Sequence, residues 1–281
     1  MIAVKLMGGL GNQMFQYAAA RRLADVRGTG LVLDLSAFER PPRGQTARVY
    51  ELDCFRPRAT LSRQSLVASA SWFRSLPLRR RLRLVTETGF AFQPAVLSAP
   101  ADSHLLGYWQ SERYFEDVVG TIREDFRVCT PLGEAKRAIA ERLDESSVSV
   151  HVRRGDYASD PRAAAIHGLL SPDYYRRAAA RIGETVEAPH FLVISEDSDW
   201  CRAHLTLDYP TTIVESVPGS GCEDMQLMSM CSHHVIANSS FGWWGAWLGR
   251  NPAKTVIAPE RWFATDELDT RDLYPSGWIR L

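Results

Sequence analysis

Short runs of consecutive apolar residues alternate along this chain with stretches in which apolar residues recur every three or four positions. Ile2-Ala3-Val4-Lys5-Leu6 is such a run, and its near-continuous hydrophobicity predicts a strand covered on both faces. Gly8-Gly9-Leu10-Gly11 interrupts it, and Asn12 opens a helix with apolar positions at Met14, Phe15, Tyr17, Ala18, Ala19 and Leu23. Leu31-Val32-Leu33-Asp34-Leu35 reads as a second buried strand, so the chain begins as a strand–helix–strand unit. Residues 40–100 lose the alternation. Pro41-Pro42 and the basic run Arg79-Arg80-Arg81-Leu82-Arg83 predict short helices and loops there. Leu105 to Trp109 is a further apolar segment, and a helix follows over about 132–143.

The second half is more regular. Strands are predicted over 148–152, 191–194, 212–214 and 235–237. Helices are predicted over 172–182 with Ser171 as N-cap, near Trp200, over 223–231 and from about Phe241. Repeated strand–helix alternation implies a parallel sheet, in which ligands bind beyond the carboxyl ends of the strands. The reading is an α/β chain of two domains, 1–145 and 146–270, with 271–281 a terminal segment of unassigned placement.

Composition sharpens this. At 281 residues the chain is long enough for two cores. Lys plus Arg equals Asp plus Glu at 33 each, so no global field attracts nucleic acid, and any anion must be held locally. Five cysteines, with no C-x-x-C pair, argue for reduced thiols and against a disulfide framework or a structural zinc site. The start of the chain has no signal-peptide pattern, and no run approaches the roughly 18 apolar residues of a membrane span. A cytoplasmic protein is expected. Arg79, Arg80, Arg81 and Arg83 read either as a solvated helix face or as a peripheral contact with the inner face of an anionic membrane.

Three turns are suited to chemistry. Gly8-Gly9-Leu10-Gly11-Asn12-Gln13 lies between a strand and a helix, where the backbone passes close to a ligand and helix N–H groups face an anion. Met14 stands where a dinucleotide fingerprint needs its third glycine, and the Lys-Ser/Thr of a P-loop is missing. A tight structural turn is the competing reading. His151-Val152-Arg153-Arg154-Gly155-Asp156-Tyr157 ends a buried strand. Two arginines there need negative charge, and a guanidinium forks onto phosphate oxygens without ever deprotonating. One of them can pair with Asp156 inside the turn, which would leave the other for a ligand. Asn238-Ser239-Ser240 is a strand-to-helix turn that offers hydroxyls and N–H groups to a second anion contact, or simply an N-cap.

Asp197-Ser198-Asp199 matches a metal-holding D-x-D pattern, but its place at a helix start favours capping. His233-His234 lacks a third ligand at metal-site spacing. No metal site is expected. The methionines near 225–230 and Trp243, Trp244 and Trp247 read as core.

These turns occur with Gly107-Tyr108-Trp109-Gln110-Ser111-Glu112 and Phe241-Gly242-Trp243-Trp244 in one order. Together they resemble the α-1,2-fucosyltransferases of glycosyltransferase family 11, over the chain from its first residues to about 265. The resemblance implies a GT-B fold, two Rossmann-like α/β domains with parallel sheets facing a cleft. It implies donor GDP-fucose on the second domain, a galactose-terminated acceptor glycan, inversion at the sugar carbon and no metal cofactor. Arg153 would contact the donor β-phosphate, with Arg154 beside it, while His151 and Asp224 would hold guanosine. Asn238, Ser239, Ser240 and Phe241 would line the phosphate turn. Gly9, Gly11, Asn12 and Gln13 would close over the donor, with Asn12 facing the reaction centre. Arg153 would stabilise the leaving GDP, and Asp156 or Glu112 is the candidate base.

Three other classes compete. An NAD-dependent oxidoreductase would use Asp34 on a ribose, a metal-dependent transferase would use Asp197 and Asp199, and a glycan-binding module would need no cationic turn.

Overall fold

The computed structural model describes residues 1–39, 47–66, 82–215, 217–265 and 267–281. The chain forms two compact units, residues 1–129 with 268–275 and residues 130–267 with 276–281. Both are α/β.

In the first unit, the strand β1 (Ile2–Lys5) runs into the helix α1 (Leu10–Val26), then β2 (Leu31–Asp34) and the short α2 (Ser36–Glu39). Three further strands follow, β3 (Thr60–Ser62), β4 (Arg83–Thr86) and β5 (Ser103–Leu106), and α3 (Val119–Asp125) closes the unit. All five strands are parallel, in the order β3-β2-β1-β5-β4. The predicted strand–helix–strand start is present, but α1 begins at Leu10 with Gly9 in the cap position, two residues before Asn12. Asn12 therefore sits in the first turn of the helix. β3 and β4 correct the expectation of only helices and loops between 40 and 100. They are sheet edges with largely exposed side chains, so no hydrophobic run announces them.

Asp34 is fully buried, and its carboxylate accepts the backbone N–H groups of Ser36 and Leu66 at 3.0 and 3.1 Å. Its second oxygen lies 3.5 Å from His104. A carboxylate committed in this way closes the chain of β2 and is withdrawn from any ribose.

The second unit begins with α4 (Glu134–Ala140) and β6 (Ser147–Val152). Helices α5 (Gly155–Ser159), α6 (Pro161–His167) and α7 (Pro172–Gly183) come next, then β7 (His190–Ser195), α8 (Ser198–His204) and β8 (Thr211–Ile213). It continues through α9 (Gly221–Met230), β9 (His233–Val235), α10 (Ser240–Leu248), β10 (Val256–Ala258) and β11 (Ile279–Arg280). The parallel sheet has the order β8-β7-β6-β9-β10-β11. Counted along this unit that is 3-2-1-4-5-6, the nucleotide-binding Rossmann order, whose switch point lies between β6 and β9.

The core of this unit supports the bland readings of several motifs. Met225, Leu227 and Met228 on α9 are buried, as are Trp243, Trp244 and Trp247 on α10. Ser171 occupies the N-cap position of α7 without a side-chain cap bond. The His233 ring accepts the Thr255 N–H at 3.0 Å, and His234 bonds the Ser149 hydroxyl at 2.8 Å. Cys129, Cys201 and Cys231 are free, whereas Cys54 and Cys222 are disulfide-bonded, against the expectation of reduced thiols. Among the described residues no helix is long and apolar enough to cross a membrane. Arg79, Arg80 and Arg81 lie outside the described residues.

Candidate active-site turns

In the second unit the switch point is lined by two turns from adjacent strands. β6 is buried along its whole length and delivers His151 at its end, with Arg153 and Arg154 just beyond. β9 pairs with β6 through Val150 and Val235 and delivers Asn238, Ser239 and Ser240 into the start of α10. The spacing from strand to helix in both motifs places their polar groups at one end of the sheet.

Both arginines are held by carboxylates, which corrects the expectation that one pairs and the other is free. Arg153 donates to Asp156 and, at 2.9 Å, to Glu196, with its guanidinium 5.0 Å from the Tyr157 ring centroid. Burial works against its charge, yet Glu196 and Asp156 hold its pKa above the ordinary arginine value. Arg154 donates to Asp197 at 3.0 Å and stacks over Trp200 at 3.9 Å. Asp197 also caps α8 through the Trp200 N–H, so its sequence position is explained by capping and by Arg154. Asp199 instead binds the exposed Arg202. Among the described residues no group of three or more His, Cys, Asp or Glu is placed to hold a metal ion.

Glu196 was not singled out from the sequence. One of its carboxylate oxygens takes both the Arg153 guanidinium and the Arg154 backbone N–H, the latter at 3.0 Å. The available signal was its place one residue beyond β7, beside the strand that carries the arginines.

His151 is buried, with its ring centroid 5.3 Å from that of Phe241. A Cβ at Gly242 would sit 2.6 Å from its Nδ1, so only glycine lets α10 start this close to the ring. Burial, reinforced by Arg153, lowers the His151 pKa from its ordinary value to about 3. The imidazole is therefore neutral at pH 7. Because the unfolded chain binds a proton near pH 6.5 that the native chain refuses, His151 contributes stability that is full above pH 6.5. That contribution is lost as the pH falls toward 3. Thermal melts from pH 7.5 to 4.5 should show this decline, and His151→Gln should make it shallower by up to roughly 1.4 kcal/mol per pH unit. An unchanged slope in the variant would show that His151 is not kept neutral.

Asn238 donates to the carbonyls of His167 and Trp262, at 2.7 and 3.2 Å, so its side chain fastens the turn. Ser239 takes the N-cap position of α10 without a side-chain cap bond. Its hydroxyl is not spent as the sequence-level capping alternative required. Asp224 is buried on α9, with the Lys136 ammonium 2.6 Å from one oxygen and the Ser220 hydroxyl bonded to the other at 2.9 Å.

In the first unit the corresponding switch point lies between β1 and β5. Gly8 has φ +78°, and a Cβ there would meet the Asn12 side chain at 2.5 Å. Gln13 is fully buried, donates to the carbonyls of Gly8 and Val49 and accepts the Glu51 N–H at 2.9 Å. It fastens the glycine turn, with its amide fully used inside the protein. Gly9 and Gly11 belong to the same turn, and the Asn12 amide is half-buried at its rim.

A family model described as Glycosyl transferase family 11 matches residues 92–281. The α-1,2-colitosyltransferase of Escherichia coli is 33% identical over 288 residues, spanning 100% of this chain and 98% of that protein. A galactoside α-(1,2)-fucosyltransferase 1 of Leontocebus fuscicollis is 28% identical over 253 residues, spanning 86% of this chain and 63% of that protein. Among solved structures, POFUT1 in complex with GDP superposes with a TM-score of 0.51 at 13% identity, covering 92% of this chain and 97% of that one. That likeness shows a GT-B-like fold.

Proposed function

Because the chain belongs to glycosyl transferase family 11, we propose that it transfers fucose from GDP-fucose to the 2-hydroxyl of a galactose in an acceptor glycan. The observation that carries this reading is the paired arginines at the switch point of a Rossmann-ordered sheet. Glycosyl transfer breaks the bond between the anomeric carbon and the β-phosphate oxygen, and negative charge grows on the departing GDP. A site without a metal must meet that charge with fixed cations and N–H dipoles. Arg153 is the nearest such cation to the start of the turn, and the first N–H groups of α10 supply dipoles on the neighbouring strand.

The arginines are presented ready-oriented by Asp156, Glu196 and Asp197. With three carboxylates on two cations, a diphosphate oxygen gains access to Arg153 by displacing one of them. Asp156, in the same turn as Arg153, is the carboxylate most suited to that exchange, while a base on the opposite face of the sugar takes the acceptor hydroxyl proton. In this reading His151 and Asp224 hold the guanine, and Ser239 and Ser240 with Phe241 border the phosphates.

A second donor reading rests on the colitosyltransferase, which is similar over the full chain. Colitose is fucose without its 3-hydroxyl, so the same diphosphate chemistry applies and only the sugar contacts differ. Incubation with lactose and either donor, with and without EDTA, separates these readings by mass spectrometry. We expect a fucosylated lactose formed at equal rate with EDTA, with the linkage at the galactose 2-hydroxyl by NMR. Faster use of GDP-colitose would reassign the donor, loss of product with EDTA would reassign the mechanism, and failure to bind GDP would sink the nucleotide reading altogether.

A further inference from the structure

β1 and β5 run side by side in register, Ala3 opposite His104 and Val4 opposite Leu105. The turns that leave them therefore emerge together at the carboxyl edge of the first sheet. The turn after β5 is built under strain. Trp109 is fully buried with φ +56°, a left-handed conformation that is unusual for a bulky aromatic residue. Glu87, just beyond the neighbouring β4, holds it there. One of its oxygens accepts the Tyr108 N–H at 2.7 Å and the other the Trp109 N–H at 2.9 Å. Burial raises the Glu87 pKa in spite of these two bonds.

The product of the strained turn is the placement of Gln110. It is 93% buried, its relative exposure being 7%, and its Nε2 donates to Asn12 Oδ1 at 2.8 Å. That bond occupies the carbonyl of Asn12, whose Nδ2 lies over the bare face of Gly8. The other end of Gln110, Oε1, is buried without a hydrogen-bond partner. A buried amide oxygen left unpaired is costly, and a turn built under strain to hold it in that position points to a donor that arrives with a ligand.

We propose that Gln110 is a substrate-binding residue: Oε1 accepts a hydrogen bond from a saccharide hydroxyl, while Nε2 orients the Asn12 amide for the reaction. This rests on the glycosyltransferase reading above. The hydroxyl belongs to the acceptor or to the donor sugar, and kinetics tell them apart. Glu87 is the positioning residue behind it.

The test uses the full chain, GDP-fucose and lactose, with Gln110→Met, which keeps the volume and loses both bonds, and Gln110→Glu, which keeps only the accepting oxygen. Gln110→Met should lower kcat/KM about 100-fold, split between a lower kcat through Asn12 and a raised saccharide KM. Gln110→Glu should restore the KM and not the kcat. A rise confined to the lactose KM assigns the hydroxyl to the acceptor, and one confined to the GDP-fucose KM assigns it to the donor. Calorimetric affinity for GDP should be unchanged in both variants. If the variants melt normally and keep wild-type kcat and both KM values, Gln110 only supports the turn and the proposal is overturned. If they differ from wild type in melting temperature alone, the same conclusion follows. If wild type binds GDP yet transfers fucose to neither lactose nor other β-galactosides, the functional reading fails first and takes this proposal with it.

Discussion

Replacing Arg153 with alanine should lower kcat for fucosyl transfer about a thousandfold at saturating GDP-fucose. Removing one preorganised donor from developing negative charge costs roughly 10²–10³ in rate, and Arg153 contributes a full cation as well as its N–H groups. The structure separates it from its neighbour. Arg153 is sheltered at the end of the central strand and held on two sides by Asp156 and Glu196. Arg154 folds away onto Trp200 and Asp197, where its stem and stacking support α8. Arg154→Ala should therefore act mainly through stability and much less through kcat.

The alanine variant also leaves Asp156 and Glu196 without the cation between them, which destabilises the turn. Arg153→Lys controls for this, since it restores charge without the planar fork and should recover only a minor part of the rate. Single-turnover transfer, with folding followed by circular dichroism, is the measurement. Near-normal turnover in a folded Arg153→Ala protein would remove the leaving-group role.

The second large effect concerns how the turn at Ser239 and Ser240 is held. Trp243 is fully buried on α10, with ring centroids of Trp244, Trp278 and Trp247 at 5.0, 5.5 and 6.1 Å. Trp243→Ala should cost about 3–5 kcal/mol and lower the melting temperature by about 10 °C. Because α10 begins at the Ser239–Ser240 turn, the loosened helix should also bind GDP more weakly. Adding GDP in large excess should return part of the lost stability by mass action. A melting temperature within 2 °C of wild type would show that the tryptophan cluster is not what anchors this helix.

Much of this was legible in the chain of residues. The buried strands β1, β2, β6 and β7 announced themselves because both faces are covered, which forces consecutive apolar residues. The glycine turn, the arginine pair and the Asn-Ser-Ser turn stood out for a different reason. Glycines, adjacent cations and small hydroxyls at strand ends are costly or pointless in a core and useful at a ligand. Met225 and Met228 of α9 and the tryptophans of α10 read correctly as packing, whereas Met230 at the end of α9 is exposed.

Most of the edge strands were not legible, β8 being the exception. β3, β4 and β11 are short and mostly exposed, and what makes them strands is backbone pairing to a neighbour distant in sequence. The same limit hid Glu196 and Glu87. Each is an ordinary acidic residue until the sheet places it beside Arg153 or under the Tyr108–Trp109 peptide. Gln13 shows the converse, a residue of a suggestive motif whose amide the fold uses entirely for itself.

The sequence by itself thus determined the two α/β halves, the family and the glycine, arginine and Asn-Ser-Ser turns at the strand ends, because these depend on local hydrophobic period and on residue types at strand ends. The tertiary structure alone decided which carboxylate holds each arginine, that His151 is kept neutral, and that Gln110 donates to Asn12 while its own Oε1 is buried unpaired. Those are facts of distance and burial between residues far apart in the chain, set by strand order and packing.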